Sequence, residues 1–368
     1  MLEKGKISAV QMGLMLYPTV LGTGFLVLPT LSSRYAGNDL WLTSMLASLT
    51  GVIAIYAACR LHDHYPKQSI VQYSENIVGT IPGKILGVIY FLYLVRATGI
   101  ITREYAEFVK GNFLFKTPIL LVIALMIVLA AVAVRGGVEM LARSAVIFTP
   151  IFIIPLFLLL FLIGQLDLGN IFPILNHGLV PVLRGTASPQ AWMSEFFLMT
   201  FFLPCLQDPG KGKQWGTVSL IAVVLSLTYV NLITLFLLGP DIENKSYPVL
   251  TAFRYISVAN FVENLEAGLL AMWIVGNFVK IAVFYYATVL SLAHTCQLSD
   301  YRSIVFPIGI LAVICSMWGL PDLPKVKLYL KLVAPFEITT ILLIIPMILL
   351  IIRALRAKKT NGGEKATR

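Results

Sequence analysis

Charge is scarce in this chain: Asp, Glu, Lys and Arg make up 12% of its 368 residues, against roughly a quarter in soluble domains. Hydrophobic residues make up 58%, and the mean hydropathy is +0.85. No soluble core of this length hides so much apolar surface, whereas lipid, replacing water around the outer face, accepts it. Acidic residues are fewer than basic ones, 18 against 28, for a formal net charge of +10. Six of the basic residues, Arg353, Arg356, Lys358, Lys359, Lys365 and Arg368, fall in the last 16 positions. Beside an apolar run this reads as a cytoplasmic stop signal with affinity for the lipid bilayer, especially anionic lipid. With no accompanying domain, it does not read as a nucleic-acid site.

Catalytic groupings are missing too. Cys59, Cys205, Cys296 and Cys315 lie far apart without metal-ligand spacing, and read as small apolar side chains in helices. His62, His64, His177 and His294 are scattered. No nucleophile elbow, phosphate loop or paired metal-ligand motif occurs. These absences point away from an enzyme, a bound metal or a cofactor. Gly22-Thr23-Gly24 lacks the preceding strand and third glycine of a nucleotide fold. No cleavable signal peptide is expected, since the first apolar stretch runs past residue 20 and more follow.

Long apolar runs are abundant. Runs of about 18 residues mark membrane-spanning helices, and ten are expected, at 8–31, 39–60, 83–110, 117–134, 144–165, 187–207, 214–239, 264–297, 302–319 and 331–354. The fold class is thus an all-α membrane protein, one ten-span domain over residues 1–359 with a basic, disordered tail at 360–368. If the N-terminus is inside, the inner segments hold sixteen Lys and Arg residues and the outer segments nine, so both termini are expected to be cytoplasmic. The tail supplies six of the sixteen and decides the orientation. Residues 61–82 suit a short amphipathic helix at the inner face, 166–186 a turn-rich outer loop, and 240–263 a hairpin over the outer mouth.

Some spans carry groups that a plain membrane helix avoids. Pro18, Gly22 and Gly24 sit mid-way in the first span and predict an unwound stretch over Thr19–Gly24. Its freed backbone groups and the Thr23 hydroxyl would face a small polar ligand. The alternative is close helix packing through small residues. The sixth span holds Glu195 and Pro204, with a distortion expected around Thr200–Pro204. Broken helices at matching places in two halves mark the solute site of inverted-repeat transporters. Arg96 and Lys280 lie near the middle of the third and eighth spans. A charge in the bilayer core costs at least ~2.5–3.5 kcal/mol and normally faces a polar interior. Both are placed on a central pathway, with Glu195, Glu104 or Glu337 as partners; a structural ion pair is the alternative. Tyr93 and Ala97 share a helix face, and Tyr285 follows Lys280.

In this order the residues resemble a known family. They are Gly22-Thr23-Gly24 followed by LVLP; Tyr65-Pro66-Lys67-Gln68-Ser69 with Tyr73 and Gly79; Thr102-Arg103-Glu104-Tyr105-Ala106-Glu107 before Thr117-Pro118; Arg135-Gly136-Gly137 with Glu139 and Arg143; and Phe202-Leu203-Pro204. Over nearly its whole length the chain resembles the B subunit of bacterial spore germinant receptors, a branch of the amino acid–polyamine–organocation transporter superfamily. The resemblance implies a LeuT-type five-plus-five inverted repeat with broken first and sixth helices, the repeats covering about 8–165 and 187–354. It implies residence in the spore inner membrane. It implies binding of a small germinant, an amino acid or in some relatives a sugar, and assembly with A and C subunits. The ligand-binding residues it implies are Gly22, Thr23, Gly24, Tyr93, Ala97, Thr200, Phe201, Ile281 and Tyr285; the span readings add Thr19 to them, and Arg96, Glu195 and Lys280 as buried polar or gating groups. A stand-alone amino-acid transporter shares that fold. However, proton-coupled members can place a lysine on the fifth span, and residues 144–165 contain none.

Overall fold

A computed structural model describes residues 2–256 and 265–366, with side chains as far as Arg356. Among these residues the only regular structure is helical, apart from one isolated bridge between Ile7 and Leu206. Ser8 opens the first helix, α1 (Ala9–Ala36), by reciprocal bonds with Gln11, which satisfy two amides the helix leaves free. Gly37, at φ +54, ends it and lets the chain turn into α2 (Leu40–His64). A second capping box, Ser69 with Gln72, opens the short α3 (Ile70–Val78), so the inner segment 61–82 does form a helix. Then come α4 (Thr80–Asn112), α5 (Ile119–Arg135) and α6 (Val138–Leu158). The segment 166–186 ends in α7 (Leu179–Gly185).

The second half begins with α8 (Ala187–Ser194), which tightens into 3-10 turns over Glu195–Phe201 and Leu203–Cys205. It continues through α9 (Gly212–Leu238), α10 (Pro248–Tyr255), α11 (Glu266–Thr295), α12 (Val305–Met317), α13 (Leu323–Leu332), α14 (Ala334–Thr339), a π turn and α15 (Ile345–Ala366). The hairpin expected over 240–263 is met by α10; residues 257–263 of it lie outside the described residues. Helix is assigned across most of the expected tail at 360–368, of which residues 367–368 are also outside them.

Six stretches are long and apolar enough to cross a membrane, by length and composition: Ala9–His64, Thr80–Asn112, Val138–Gln165, Pro209–Asn244, Glu266–Thr295 and Ala334–Arg356. The first contains both α1 and α2. Ile119–Arg135 and Arg302–Met317 are shorter apolar helices. With the distorted 187–205 segment, they account for the ten expected runs. Leu125, Leu129 and Val132 on α5 are each more than half exposed. A row of that kind fits lipid and not water: the chain is an integral membrane protein. At about 1.5 Å per residue, the 33 residues of α4 outrun a ~30 Å hydrocarbon core, so α4 tilts or projects.

One expectation is corrected here. Residues 19–24 are not unwound; α1 is one helix from Ala9 to Ala36, and its first and sixth spans are therefore not broken alike. Pro18 does withdraw the amide that would bond the Leu14 carbonyl. The Thr149 hydroxyl of α6 takes its place, donating to that carbonyl at 2.9 Å. The Thr19 hydroxyl donates to the Met15 carbonyl. Gly22 serves close approach: a Cβ there would lie 3.2 Å from the Gly276 carbonyl oxygen on α11, and one on Gly276 would lie 2.3 Å from the Phe152 ring. Small-residue packing wins over unwinding. Thr149→Val removes the replacement donor at nearly constant shape and leaves a partly buried carbonyl unpaired, costing about 1–3 kcal/mol. A thermal melt of the purified variant should fall below wild type, while Thr149→Ser holds near it; equal melts for Val and wild type would show that Leu14 has another donor.

The sixth span is distorted as expected, but from Glu195 onward, a turn earlier than Thr200. Ser194 donates its hydroxyl to the Ala191 carbonyl at 2.6 Å, competing with the backbone ladder where the tightening begins. The far end of the distortion is tied to the N-terminus. The Ile7 amide donates to the Cys205 carbonyl at 3.0 Å and the Gln207 amide to the Ile7 carbonyl at 2.9 Å. Asp208 accepts from the Ala9 amide. Glu3 accepts from the Tyr301 and Tyr286 hydroxyls at 2.7 and 3.2 Å and from the Val138 amide at 3.1 Å. Residues 2–8 thus form a strap across one end of the bundle.

Candidate functional site

At the centre, α1, α4, α8, α11 and the α13–α14 pair enclose a cavity of about 30 Å³, room for one or two waters. Helix α4 contributes Tyr93, Ala97 and Glu104; α1 contributes Thr23; Trp192 and Glu195 come from the sixth span, Lys280 and Phe284 from α11. The Trp192 indole N–H donates to the Thr23 hydroxyl at 2.9 Å. Gly24 makes room for this ring, since a Cβ there would lie 3.4 Å from Trp192 Cδ1.

The dominant feature is an ion pair. Lys280 Nζ lies 2.9 and 2.8 Å from the two carboxylate oxygens of Glu195, and the side chains are 1% and 3% exposed. The Lys280 ammonium also sits 5.6 Å from the centre of the Phe284 ring, one turn further along the same helix. Desolvating two charges costs several kcal/mol each, and mutual attraction offsets this only while both partners remain. The Glu195 carboxylate stands at the first residue of the tightened segment, so the pair links α11 to the distortion.

The other expected site residues separate. Thr23, Tyr93, Ala97, Glu195 and Lys280 line the cavity. Gly22 and Gly24 pack beside it, and Thr19 is buried with its hydroxyl turned to its own helix. Thr200 bonds the Tyr73 hydroxyl at 3.0 Å. Phe201 lines a smaller cavity of about 20 Å³ at the strap end, with Glu3 and His294. Ile281 is fully buried and lines none of these hollows. The Tyr285 hydroxyl donates to the Val305 carbonyl, against α12. Arg96 is 46% exposed and pairs with Glu337, stacked 5.0 Å from the centre of the Tyr329 ring in a lateral groove; it does not line the central cavity, though Tyr329 borders both. Trp192 and Phe284 were not anticipated; Phe284 is signalled by its i+4 spacing from Lys280.

A second cavity, of about 70 Å³, opens toward the end of α1 that carries Arg34. Lys245, Ser246, Tyr247, Val326 and Lys327 are among its walls, and Glu104 and Leu330 belong to both cavities. Burial and the neighbouring Arg34 hold the Lys327 ammonium below its ordinary pKa. Lys327 donates to the Ser246 hydroxyl at 2.6 Å. The described residues contain no group of three or more His, Cys, Asp or Glu side chains placed to hold a metal ion.

Residues 6–321 match the family model described as spore germination protein, a spore permease. Spore germination protein KB of Bacillus subtilis (strain 168) is 26% identical over 99% of this chain and 100% of its own length. Spore germination protein A2 of the same organism is 26% identical over 93% of this chain and 94% of its own. Among solved structures, a substrate-bound, outward-open Na+-coupled sialic acid symporter superposes with a TM-score of 0.68 over 90% of this chain and 77% of that one, at 11% identity. The nucleobase-cation-symport transporter Mhp1, closed on bromovinylhydantoin, gives 0.69 over 93% and 79%, also at 11%. Those identities show the fold alone: the five-plus-five inverted repeat of LeuT-type transporters. With about six-sevenths of its length under the family's own pattern, the chain belongs to the spore germination protein (spore permease) family.

Proposed function

We propose that this chain is the solute-sensing B-type subunit of a spore germinant receptor, binding a small nutrient, an amino acid or a similar solute, at mid-membrane. One observation carries the reading: a buried Glu195–Lys280 pair that joins α11 to the distorted sixth span beside a small central cavity. The cavity has room for a water or two but not for a nutrient, so binding requires the pair to part and the bundle to rearrange. A solute shifts that balance only by its difference in affinity for the two arrangements, and inserting polar groups between Glu195 and Lys280 supplies such a difference. Thr23, Tyr93 and Ala97 would form the remaining walls. The receptor's A and C subunits would read the rearrangement. The basic C-terminal segment favours both termini in the cytoplasm, with the spore inner membrane as the location and the strap at the inner face.

The test is a thermal-shift screen of single amino acids and sugars on the purified chain, followed by uptake of any hit into proteoliposomes under an ion gradient. Saturable stabilisation without uptake is expected. Gradient-driven uptake would make the chain a stand-alone transporter, and no stabilisation by any solute would contradict the reading.

A further inference from the structure

Glu104 is the third ionisable group on the central cavity, and among the described residues nothing pairs with it. It is 4% exposed, its Oε1 is buried without a hydrogen-bond partner, and no ion pair involves it among the described residues. Lys280 is already held by both oxygens of Glu195. An unpaired carboxyl in a low-dielectric interior is costly, and a structural residue at this position would have been given a donor. Glu104 also faces two hollows at once, the central cavity and the vestibule beyond Leu330.

The charges of the vestibule are ordered along its depth. Arg34, Lys245 and Lys327 line it with Glu243, which is exposed, while the buried carboxyl is Glu104, at the wall shared with the centre. Lys245 is engaged by Asp241 at 2.7 Å and Lys327 by a neutral hydroxyl, so Arg34 and Lys327 leave the rim positive. A simple amine is repelled by that rim, and a sugar gains nothing from either charge. A molecule bearing a carboxylate and an ammonium a few bonds apart gains from both.

We propose that Glu104 is the ammonium-binding residue for a zwitterionic solute, which enters the vestibule and presents its amino group to the floor while its carboxylate faces Arg34 and Lys327. The inference rests on the solute-sensing reading and narrows the nutrient to an amino acid. Passing Leu330 carries the solute to the central pair, with Glu104 in reach on both sides of that residue. The Glu104→Gln variant keeps the shape and removes the ionisable carboxyl; Glu139→Gln, at a half-exposed carboxylate that lines neither cavity, controls for the general field.

The experiment is equilibrium binding of each of the twenty standard amino acids, glucose and ethylammonium to the purified wild-type chain and both variants in nanodiscs, with each variant's melting temperature recorded. Loss of a charge-assisted bond predicts amino-acid affinity roughly 10- to 100-fold weaker in Glu104→Gln and within about threefold of wild type in Glu139→Gln. Amino-acid binding unchanged in Glu104→Gln overturns the inference and leaves the solute-sensing reading intact. So does saturable binding of glucose or ethylammonium alone. No saturable binding of any probe to the wild-type chain overturns both.

Discussion

Lys280→Met is expected to destabilise the purified chain by about 3–5 kcal/mol, because it leaves the Glu195 carboxylate charged and buried with no partner. Glu195 is 3% exposed and receives both of its hydrogen bonds from Lys280. The paired replacement Glu195→Leu with Lys280→Met removes both desolvation costs at similar volume. Such swaps are neutral or stabilising by roughly 1–4 kcal/mol, so the double variant should melt at or above the wild-type temperature. It should also fail to bind any solute. A pair retained for stability alone predicts the opposite second result, a double variant that binds as well as wild type. Thermal melts of the two variants, with a binding titration on the double, separate the two roles. A single variant as stable as wild type would mean that Lys280 does not neutralise Glu195.

The strap yields the second large effect. Cys205 is 3% exposed, and its carbonyl accepts the Ile7 amide, so access to its thiol reports whether residues 2–8 are seated. Glu3 anchors that segment through two tyrosine hydroxyls and the Val138 amide. Glu3→Ala loses these charge-assisted bonds, each worth about 1.5–3 kcal/mol. The open population, and with it the rate of maleimide labelling at Cys205, should rise about 30-fold or more. The comparison is made with Cys59, Cys296 and Cys315 replaced by Ser, since Cys296 is exposed. Tyr301→Phe, which removes one donor, should give a smaller rise. Equal labelling rates in Glu3→Ala and its parent would show that the strap does not close this end.

The spans could be read from the chain because lipid demands long apolar runs and nothing else supplies them. Glu195 and Lys280 could be read as interior charges for the same reason, since a mid-span charge has few places to go, but the residue pattern leaves open which of three acids faces Lys280. The first span could not, because the donor that repairs Pro18 comes from Thr149, and the glycine that meets Gly22 is Gly276. No local pattern distinguishes a glycine that unwinds a helix from one that admits a neighbour. Tyr285 was misplaced by angle. Five residues beyond Lys280 is about 140° around the helix at ~100° per residue, which turns it to α12, whereas Phe284 at i+4 stays with the lysine. The partner of Arg96, Glu337, is one of the three acids the sequence offers for it without choosing among them. The side Arg96 takes, lateral and not central, depended on where α13 and α14 pack, which a mid-span charge does not encode.

The most direct measurement is a density map of the chain saturated with the solute found by screening, read at the Glu195–Lys280 pair. The account predicts that Lys280 Nζ and the Glu195 carboxylate, 2.8 Å apart here, separate beyond about 4 Å, the limit of an ion pair, with the solute's polar groups between them and Thr23 and Tyr93 against it. A solute bound elsewhere on the chain, with the pair still closed, would contradict it.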